Sequence, residues 1–430
     1  MRHKSVDPEF FTRNRERLRS CLRPGSVVIL HSNDVYPTDA DGTMAFRQNS
    51  DLFYLTGVDQ EETILLLMPD AVNPQDREIL FIRETNEHIA VWEGEKLGKE
   101  QAKKLTGIAR AEWTSAFDSI FHRLMPQAER VLLETNEHSR ATPLVETRNA
   151  RFIKSCQAVY PLHRYERLAP IMHRLRMIKQ EAEVQMIQRA CDITGAGFKR
   201  LLGFIKPGVG EWEIEAELLH EFVRSGSRGF AYTPIIGSGK NSCVLHYVKN
   251  DQVCREGELV LLDVAAEWGG WNADMTRTIP ISGRFSKRQR QVYDAVLRVF
   301  RGANELLRPG NDPTEYQKQV LLLMERELVN LELFSTKEAA AQGPDKALVK
   351  KYFMHGTSHH LGLDVHDVSP ANATFAEGML FTIEPGIYIR EEGIGIRLEN
   401  DFLIGKDSNS DLMAGIPIEA EEIEALMNAR

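Results

Sequence analysis

Glu258-Leu259-Val260-Leu261-Leu262-Asp263-Val264-Ala265 runs into Trp268-Gly269-Gly270 and returns as Trp271-Asn272-Ala273-Asp274-Met275-Thr276-Arg277-Thr278. The first segment reads as an apolar strand interrupted by one carboxylate, and the glycines read as a turn. Opposed residues in an antiparallel hairpin share a constant index sum and one face of the sheet. A turn centred between Trp268 and Gly269 therefore sets Asp263 opposite Asp274. Two carboxylates facing each other in an apolar sheet repel unless something neutralises them. The bland alternatives are a surface position for Asp274 or one protonated aspartate; buried carboxylates are more often paired or metal-bound.

A second stretch repeats the arrangement. Met379-Leu380-Phe381-Thr382-Ile383-Glu384 is an apolar strand ending in a carboxylate, and Ile396-Arg397-Leu398-Glu399 lies on the return. Glu384 and Glu399 have their midpoint at Glu391-Glu392, just before Gly393. Between the two hairpins lies His355-Gly356-Thr357-Ser358-His359-His360-Leu361-Gly362-Leu363-Asp364-Val365-His366-Asp367, which holds four of the chain's 13 histidines. Such a cluster alone is as easily a run of hydrogen-bonded histidines as a metal site. The acidic pairs on either side tip it toward a site. Four carboxylates with one or two imidazoles suit two divalent cations. The oxygen-rich donor set favours Mn²⁺, with Co²⁺, Fe²⁺ or Zn²⁺ admissible. Two-metal sites of this kind activate water for hydrolysis.

Working outward, 430 residues exceed one ordinary core, and two domains are expected. A hydrophobic content of 42% and a charged content of 27% are those of a globular chain. The formal net charge of −9, without a basic aromatic-laced block, argues against a nucleic-acid partner. Five scattered cysteines with no CxxC spacing fit a reducing compartment. The first nine residues lack an apolar core, so no export signal is expected. No apolar run is long enough to cross a bilayer, and a cytoplasmic location is the expectation.

Along the first part, residues 8–22 predict an amphipathic helix. Strands are expected at 26–32, 51–58, 63–68, 78–83, 130–134 and 158–160, with a helix at 98–105 and a polar loop at 33–44. This alternation predicts an α/β layer over residues 1–170. Residues 171–430 form the second domain. There the pattern predicts a helix at 172–200, another at 212–224 and the first hairpin. Helices at 288–307 and 314–328 and the second hairpin follow. The order helix, helix, hairpin thus occurs twice, without a visible sequence repeat. The fold class is α/β (α+β).

These motifs resemble those of the creatinase and methionine aminopeptidase ("pita-bread") metallopeptidases, and within them the aminopeptidase P, or Xaa-Pro aminopeptidase, family. The resemblance spans essentially the whole chain. Phe46-Arg47-Gln48-Asn49-Ser50-Asp51-Leu52-Phe53-Tyr54-Leu55-Thr56-Gly57 and Val91-Trp92-Glu93-Gly94 are similar to its N-terminal signatures. Asp263-Val264, Asn272 to Thr278, the histidine stretch, Thr382 to Tyr388 and Gly395 to Glu399 match its catalytic half. The resemblance implies a creatinase-like α/β domain for substrate access and oligomerisation, followed by a pita-bread catalytic domain of two pseudo-repeated units.

It implies Asp263, Asp274, His359, Glu384 and Glu399 as ligands of two metal ions. Glu384 is also the proton shuttle. It implies His246 beside the scissile bond, His366 and His355 on the substrate side, and Tyr388 and Arg397 orienting Asp274 and its neighbours. Asp41 matches a carboxylate that relatives offer from a neighbouring subunit. His360 is left without a role. The implied activity is that of a metallo-exopeptidase, removing the first residue of peptides with proline second, in a homodimer or homotetramer. The Xaa-Pro bond has no N–H, so a shaped pocket must recognise the ring. Two rivals stand beside this reading: a prolidase restricted to Xaa-Pro dipeptides, and a non-catalytic pita-bread binding module. Gly237-Ser238-Gly239-Lys240 lacks the first glycine and the Ser/Thr of a phosphate loop. Cys243, near His246, reads as a buried thiol rather than a nucleophile. No HExxH or GxSxG motif is present.

Overall fold

The apolar run of β1 (Ser26–His31) is buried along its whole length and forms the middle of a six-stranded sheet. β2 (Ile64–Leu67) pairs antiparallel with β1, and β3 (Glu78–Ile82) antiparallel with β2. β4 (Ala111–Trp113) is parallel to β3, while β5 (Arg130–Leu133) and β6 (Arg164–Arg167) extend the other side in parallel. The helices are α1 (Pro8–Ser20), α2 (Ser50–Thr56), α3 (Glu87–Glu93), α4 (Lys99–Thr106), α5 (Phe117–Leu124), α6 (Arg148–Val159) and α7 (Ala169–Met177). Alternate strand residues Val27, Ile29, Ile64, Leu66, Ile79 and Phe81 share one core with Phe117 and Phe121 of α5, as a two-residue period requires.

This computed structural model describes residues 6–429, which divide into two units meeting at Arg176 and Met177. Residues 1–5, part of the stretch read for an export signal, and Arg430 lie outside the described residues.

The second unit begins with a helix pair, α8 (Glu181–Phe204) and α9 (Glu211–Arg224). Strands β7 (Ile235–Ser238), β8 (Leu259–Asp263), β9 (Glu267–Trp268), β10 (Trp271–Asn272) and β11 (Thr276–Pro280) follow. A second helix pair, α10 (Lys287–Leu306) and α11 (Pro313–Asn330), leads through α12 (Thr336–Ala341) and α13 (Ala347–Tyr352) to more strands. These are β12 (Leu380–Ile383), β13 (Gly386–Ile389), β14 (Ile394–Arg397), β15 (Asn400–Leu403) and β16 (Ser410–Asp411), closed by α14 (Ala420–Met427). Helix pair then hairpin occurs twice, which is the pita-bread organisation. No helix among the described residues is long and apolar enough to cross a membrane.

Four local expectations are corrected. The strand expected at 51–58 is α2. Asn49 caps it by accepting from Leu52 N, and left-handed Gly57 (φ +68°) ends it; these caps outweigh the β-prone aromatic content. Residues 158–160 close α6, whose start is capped by Thr147, and the strand lies later, in β6. The single helix expected at 172–200 is two, α7 and α8. The break at 178–180 exists because Ile178 bridges Met379 and Lys179 N donates to Gly378 O.

In the first hairpin the turn centre lies one residue on from the expected one, which moves each cross-strand partner by two. Gly269 and Gly270 (φ +60° and +95°) form the turn, so Trp268 faces Trp271 and Asp263 faces Thr276 rather than Asp274. Two left-handed positions demand two glycines, which moves the turn centre. The second hairpin keeps the expected register, Gly386 facing Arg397 and Ile383 facing Asn400.

Candidate metal centre

The two hairpins meet edge to edge at Thr276 and Glu399, where Glu399 N donates to Thr276 O at 3.1 Å. Arg277, fully buried beside this contact, donates to Glu399 O (2.7 Å), Pro417 O (2.8 Å) and Asn400 Oδ1 (2.7 Å). Joining the hairpins brings their acids together. Asp274, His359 and Glu399 each offer a ligand atom, and these atoms lie within 4.8 Å of one another. His359 Nε2 is 3.5 Å from Asp274 Oδ2 and 3.8 Å from Glu384 Oε1. His359 Nδ1 donates to His360 O at 2.9 Å, which turns Nε2 toward the carboxylates. Asp263 reaches the same recess: Tyr232 OH stands 2.7 Å from both Asp263 Oδ1 and Asp274 Oδ1. The register shift therefore does not separate the aspartates, because Asp274 is two residues from Thr276 on the same strand direction.

The charges are unbalanced. Asp263, Asp274, Glu384 and Glu399 face the guanidinium of Arg397 and the imidazole of His359. Burial pushes Asp263 above its ordinary range, with Asp274 adding to the push. Burial, and then the charges of Asp274, Glu384 and Asp263, push Glu399 well above it. Glu384 is pushed up to about 7 by burial, against the pull of His359 and Arg397. Burial opposes charge on His359, yet Asp274 and Glu384 hold it at about 9. Tyr232 has a single proton for two carboxylate oxygens, so one contact is unsatisfied when both aspartates are ionised. Side chains alone leave this recess short of positive charge. Four carboxylates and one imidazole fit two divalent cations in charge and in donor type.

A set of buried hydrogen bonds holds these groups. Arg397 pairs with Asp263, and also donates to Thr276 Oγ1 (3.0 Å) and Tyr388 OH (2.9 Å). Thr276 Oγ1 in turn donates to Glu399 Oε2 at 2.7 Å. Asp274 N donates to Asp401 Oδ2 at 3.0 Å. Tyr388 OH contacts His355 Nε2 at 2.7 Å, and His355 Nδ1 lies 3.8 Å from Glu384 Oε2. The His366 ring stands edge-on to His359, centroids 4.3 Å apart. His360 packs on Phe381, centroids 4.0 Å apart. His246 is exposed on a loop whose Leu245 and Tyr247 pack in one cluster with Tyr388. Asp41 belongs to the other unit, exposed in the loop closed by the bridge between Pro37 and Thr43.

Two family models match the chain: metallopeptidase family M24 over residues 185–406, and the aminopeptidase P N-terminal domain over residues 11–133. The chain belongs to metallopeptidase family M24. This M24 peptidase is 34% identical to Xaa-Pro aminopeptidase of Escherichia coli, across 99% of its own length and 98% of that protein. Human Xaa-Pro aminopeptidase 3 is 31% identical, covering 93% of this chain and 80% of the other. The solved structure of E. coli aminopeptidase P with the inhibitor Pro-Leu superposes with a TM-score of 0.85 at 32% identity, covering 99% of each chain. The zinc-substituted E. coli enzyme with product gives 0.86 over the same coverage.

Several residues that hold this M24 site escaped the sequence reading. Tyr232 is 31 residues from Asp263 and carries no local signal. Asp401 lies two residues past Glu399, where it reads as an ordinary strand acid. Lys179 and Asp367 form an ion pair at 2.5 Å with both side chains 1% exposed. A Cβ on Gly362 would sit 2.2 Å from Asp367 Oδ2 and 2.7 Å from Lys179 Nζ, so the pair packs directly on that glycine. Asn272 Nδ2 holds the same turn through Gly362 O (3.0 Å) and Leu363 O (2.9 Å). Together these fix the loop between His360 and His366. Cys243 is buried and its thiol is pushed up to about 11 by burial, which is wrong for a nucleophile.

Proposed function

We propose that this M24 peptidase is a Xaa-Pro aminopeptidase that uses two divalent metal ions, Mn²⁺ foremost, to cleave the bond between the first residue of a peptide and a proline second. The observation that carries the reading is the convergence of Asp263, Asp274, His359, Glu384 and Glu399 on one positively undercompensated recess. The full-length likeness to proteins named Xaa-Pro aminopeptidase supports the substrate class.

Asp263, Asp274, His359, Glu384 and Glu399 would together hold the two ions. Two cations bound there would supply a lowered pKa for water and positive charge against the developing oxyanion. The side chains do the rest. Glu384 takes the proton of the attacking water and returns it to the proline nitrogen as that nitrogen leaves. His246 and His366 donate to the carbonyl oxygen as it gains charge. His355 is held by Tyr388, and lines the side where the proline ring is received. Arg397 keeps Asp263 and Tyr388 in place. The enzyme works in the cytoplasm, as a homodimer or homotetramer. Its first domain, read as 1–170, controls substrate access and assembly, with Asp41 offered to a neighbour's site. The exposed Val91 and Trp92 on α3 support an assembly surface there.

The test is a peptide series of Xaa-Pro, Xaa-Pro-Yaa and Xaa-Ala-Yaa, assayed after metal removal and reconstitution with Mn²⁺, Co²⁺ or Zn²⁺. Cleavage of Xaa-Pro-Yaa but not Xaa-Ala-Yaa is expected. Cleavage of Xaa-Pro alone would make the chain a prolidase. No cleavage by metal-loaded protein would leave only the binding module.

A further inference from the structure

One buried carboxylate gathers both ends of the loop that carries His246. Glu211, the first residue of α9, is fully buried and accepts four hydrogen bonds. Ser238 N and Ser238 Oγ each donate to Oε1 at 2.7 Å. Gln252 N (3.0 Å) donates to Oε2, and Tyr247 OH (2.9 Å) reaches the same oxygen while sharing its one proton with Asp251 Oδ1 (3.0 Å). All four donors lie on the segment 238–252. Two sit where the chain leaves β7, one is the neighbour of His246, and one is where the loop ends.

Other contacts close the same frame. Asn250, at φ +48°, accepts from Ile236 N at 3.0 Å and donates to Glu215 Oε2 at 2.8 Å. Ser242 Oγ accepts from Gly395 N at 2.9 Å, joining the loop to β14. Leu245 and Tyr247 pack in one cluster with Tyr388, whose hydroxyl touches His355 and Arg397. His246 is thus the exposed residue between two anchored neighbours beside the metal recess.

We propose that Glu211 is a positioning residue that sets His246 for catalysis from outside the set of residues read as metal ligands. The proposal rests on the reading of His246 as a substrate-side donor. A carboxylate is required there for a geometric reason. Each oxygen receives one main-chain N–H, from Ser238 on one side and Gln252 on the other. The Ser238 and Tyr247 hydroxyls can turn to accept, but a main-chain N–H cannot. A glutamine must aim its NH₂ at one of the two N–H groups, and releases one end of the loop whichever way it flips.

The experiment uses metal-loaded enzyme and an Xaa-Pro-Yaa peptide, comparing Glu211→Gln, His246→Ala and the double variant. Glu211→Gln is expected to lower kcat/KM about tenfold, the consequence of one unsatisfied buried donor loosening the loop. Bound metal per chain stays at the wild-type level. In the His246→Ala background the same substitution costs nothing further, because its effect passes through that imidazole. Tyr247→Phe removes one donor without altering the carboxylate and covers the case in which Glu211→Gln fails to fold. It is expected to give a smaller loss, also absent without His246. Wild-type turnover in Glu211→Gln, or a full multiplicative loss in the double variant, overturns the proposal while leaving the site reading intact. Wild-type turnover in His246→Ala instead overturns the reading of His246, and the proposal with it.

Discussion

Each unit buries a cluster of carboxylates, and the two clusters are balanced differently. In the first unit Asp51 pairs with Arg176 at 2.8 Å, the side chains 8% and 4% exposed. Its neighbour Glu134 accepts from Asn49 Nδ2 and Asn149 Nδ2 at 2.9 to 3.0 Å. Burial, then the charge of Asp51, pushes Glu134 up to about 8. One carboxylate is matched by a guanidinium, and the other is held by two asparagine amides with burial keeping it above its ordinary range. In the second unit four carboxylates meet one arginine and one histidine. The contrast teaches that buried acid is not by itself a metal signature; an excess of acid over local cation and proton is. It also reinterprets the family signature from Phe46 to Gly57. Asn49 and Asp51 serve as helix cap, hydrogen-bond donor and ion-pair partner inside the first unit.

The sharpest way to break this comparison is to remove charge from the unbalanced cluster. Asp263→Asn or His359→Ala should lower Xaa-Pro-Yaa cleavage by about three orders of magnitude. Bound metal should fall while far-UV circular dichroism is retained; activity near wild type in either variant would refute the ligand assignment. In the balanced cluster the same kind of change should act on stability instead. Arg176→Met removes the guanidinium that pairs with buried Asp51 and should lower the urea denaturation midpoint, with metal content unchanged. Equal damage to metal binding would erase the distinction between the clusters.

Gly362→Ala tests the support under His366. The new methyl group collides with the buried Lys179–Asp367 pair, and a loss of about 1–3 kcal/mol with reduced kcat/KM is expected. Wild-type stability would mean that the pair is free to yield. The mildest effect is a pH dependence. Glu134 sits above its ordinary value of 4.5, at about 8 in the folded chain. The folded state keeps a proton that the unfolded chain gives up. The stability this group allows is therefore complete below about pH 4.5 and is lost as pH rises toward about 8. Denaturation midpoints of Glu134→Gln, measured between about pH 5 and about pH 8, should fall less steeply than those of the native chain. An unchanged slope would move the titration elsewhere.

The pairing of carboxylates was legible because strand geometry converts index sums into neighbours. The second hairpin followed that rule to the residue: Gly386 faces Arg397, as Glu384 and Glu399 require. The first departed from it by two residues in pairing, because two glycines with positive φ moved the turn centre by one. Phe53, Tyr54 and Leu55 give α2 a β-prone composition, while the caps at Asn49 and Gly57 are local signals that outweigh it. The break before α8 left a fainter local mark, Gln180 N donating to Glu183 Oε2 at 3.0 Å. It arises where the chain pairs with residues 378–379, two hundred positions away.

The sequence alone determined the two acidic strand pairs, the histidine stretch between them and the chemistry such a set implies. Period-two alternation and glycine turns are local; they place the second pair in register and the first on one face, though not opposite each other. Tertiary structure decided what balances them. Tyr232 between two aspartates, Arg397 spanning Asp263 and Tyr388, and Glu211 gathering four donors are contacts across long stretches of chain. Burial and charge balance depend on which distant groups close around a side chain, and no spacing along the chain encodes that.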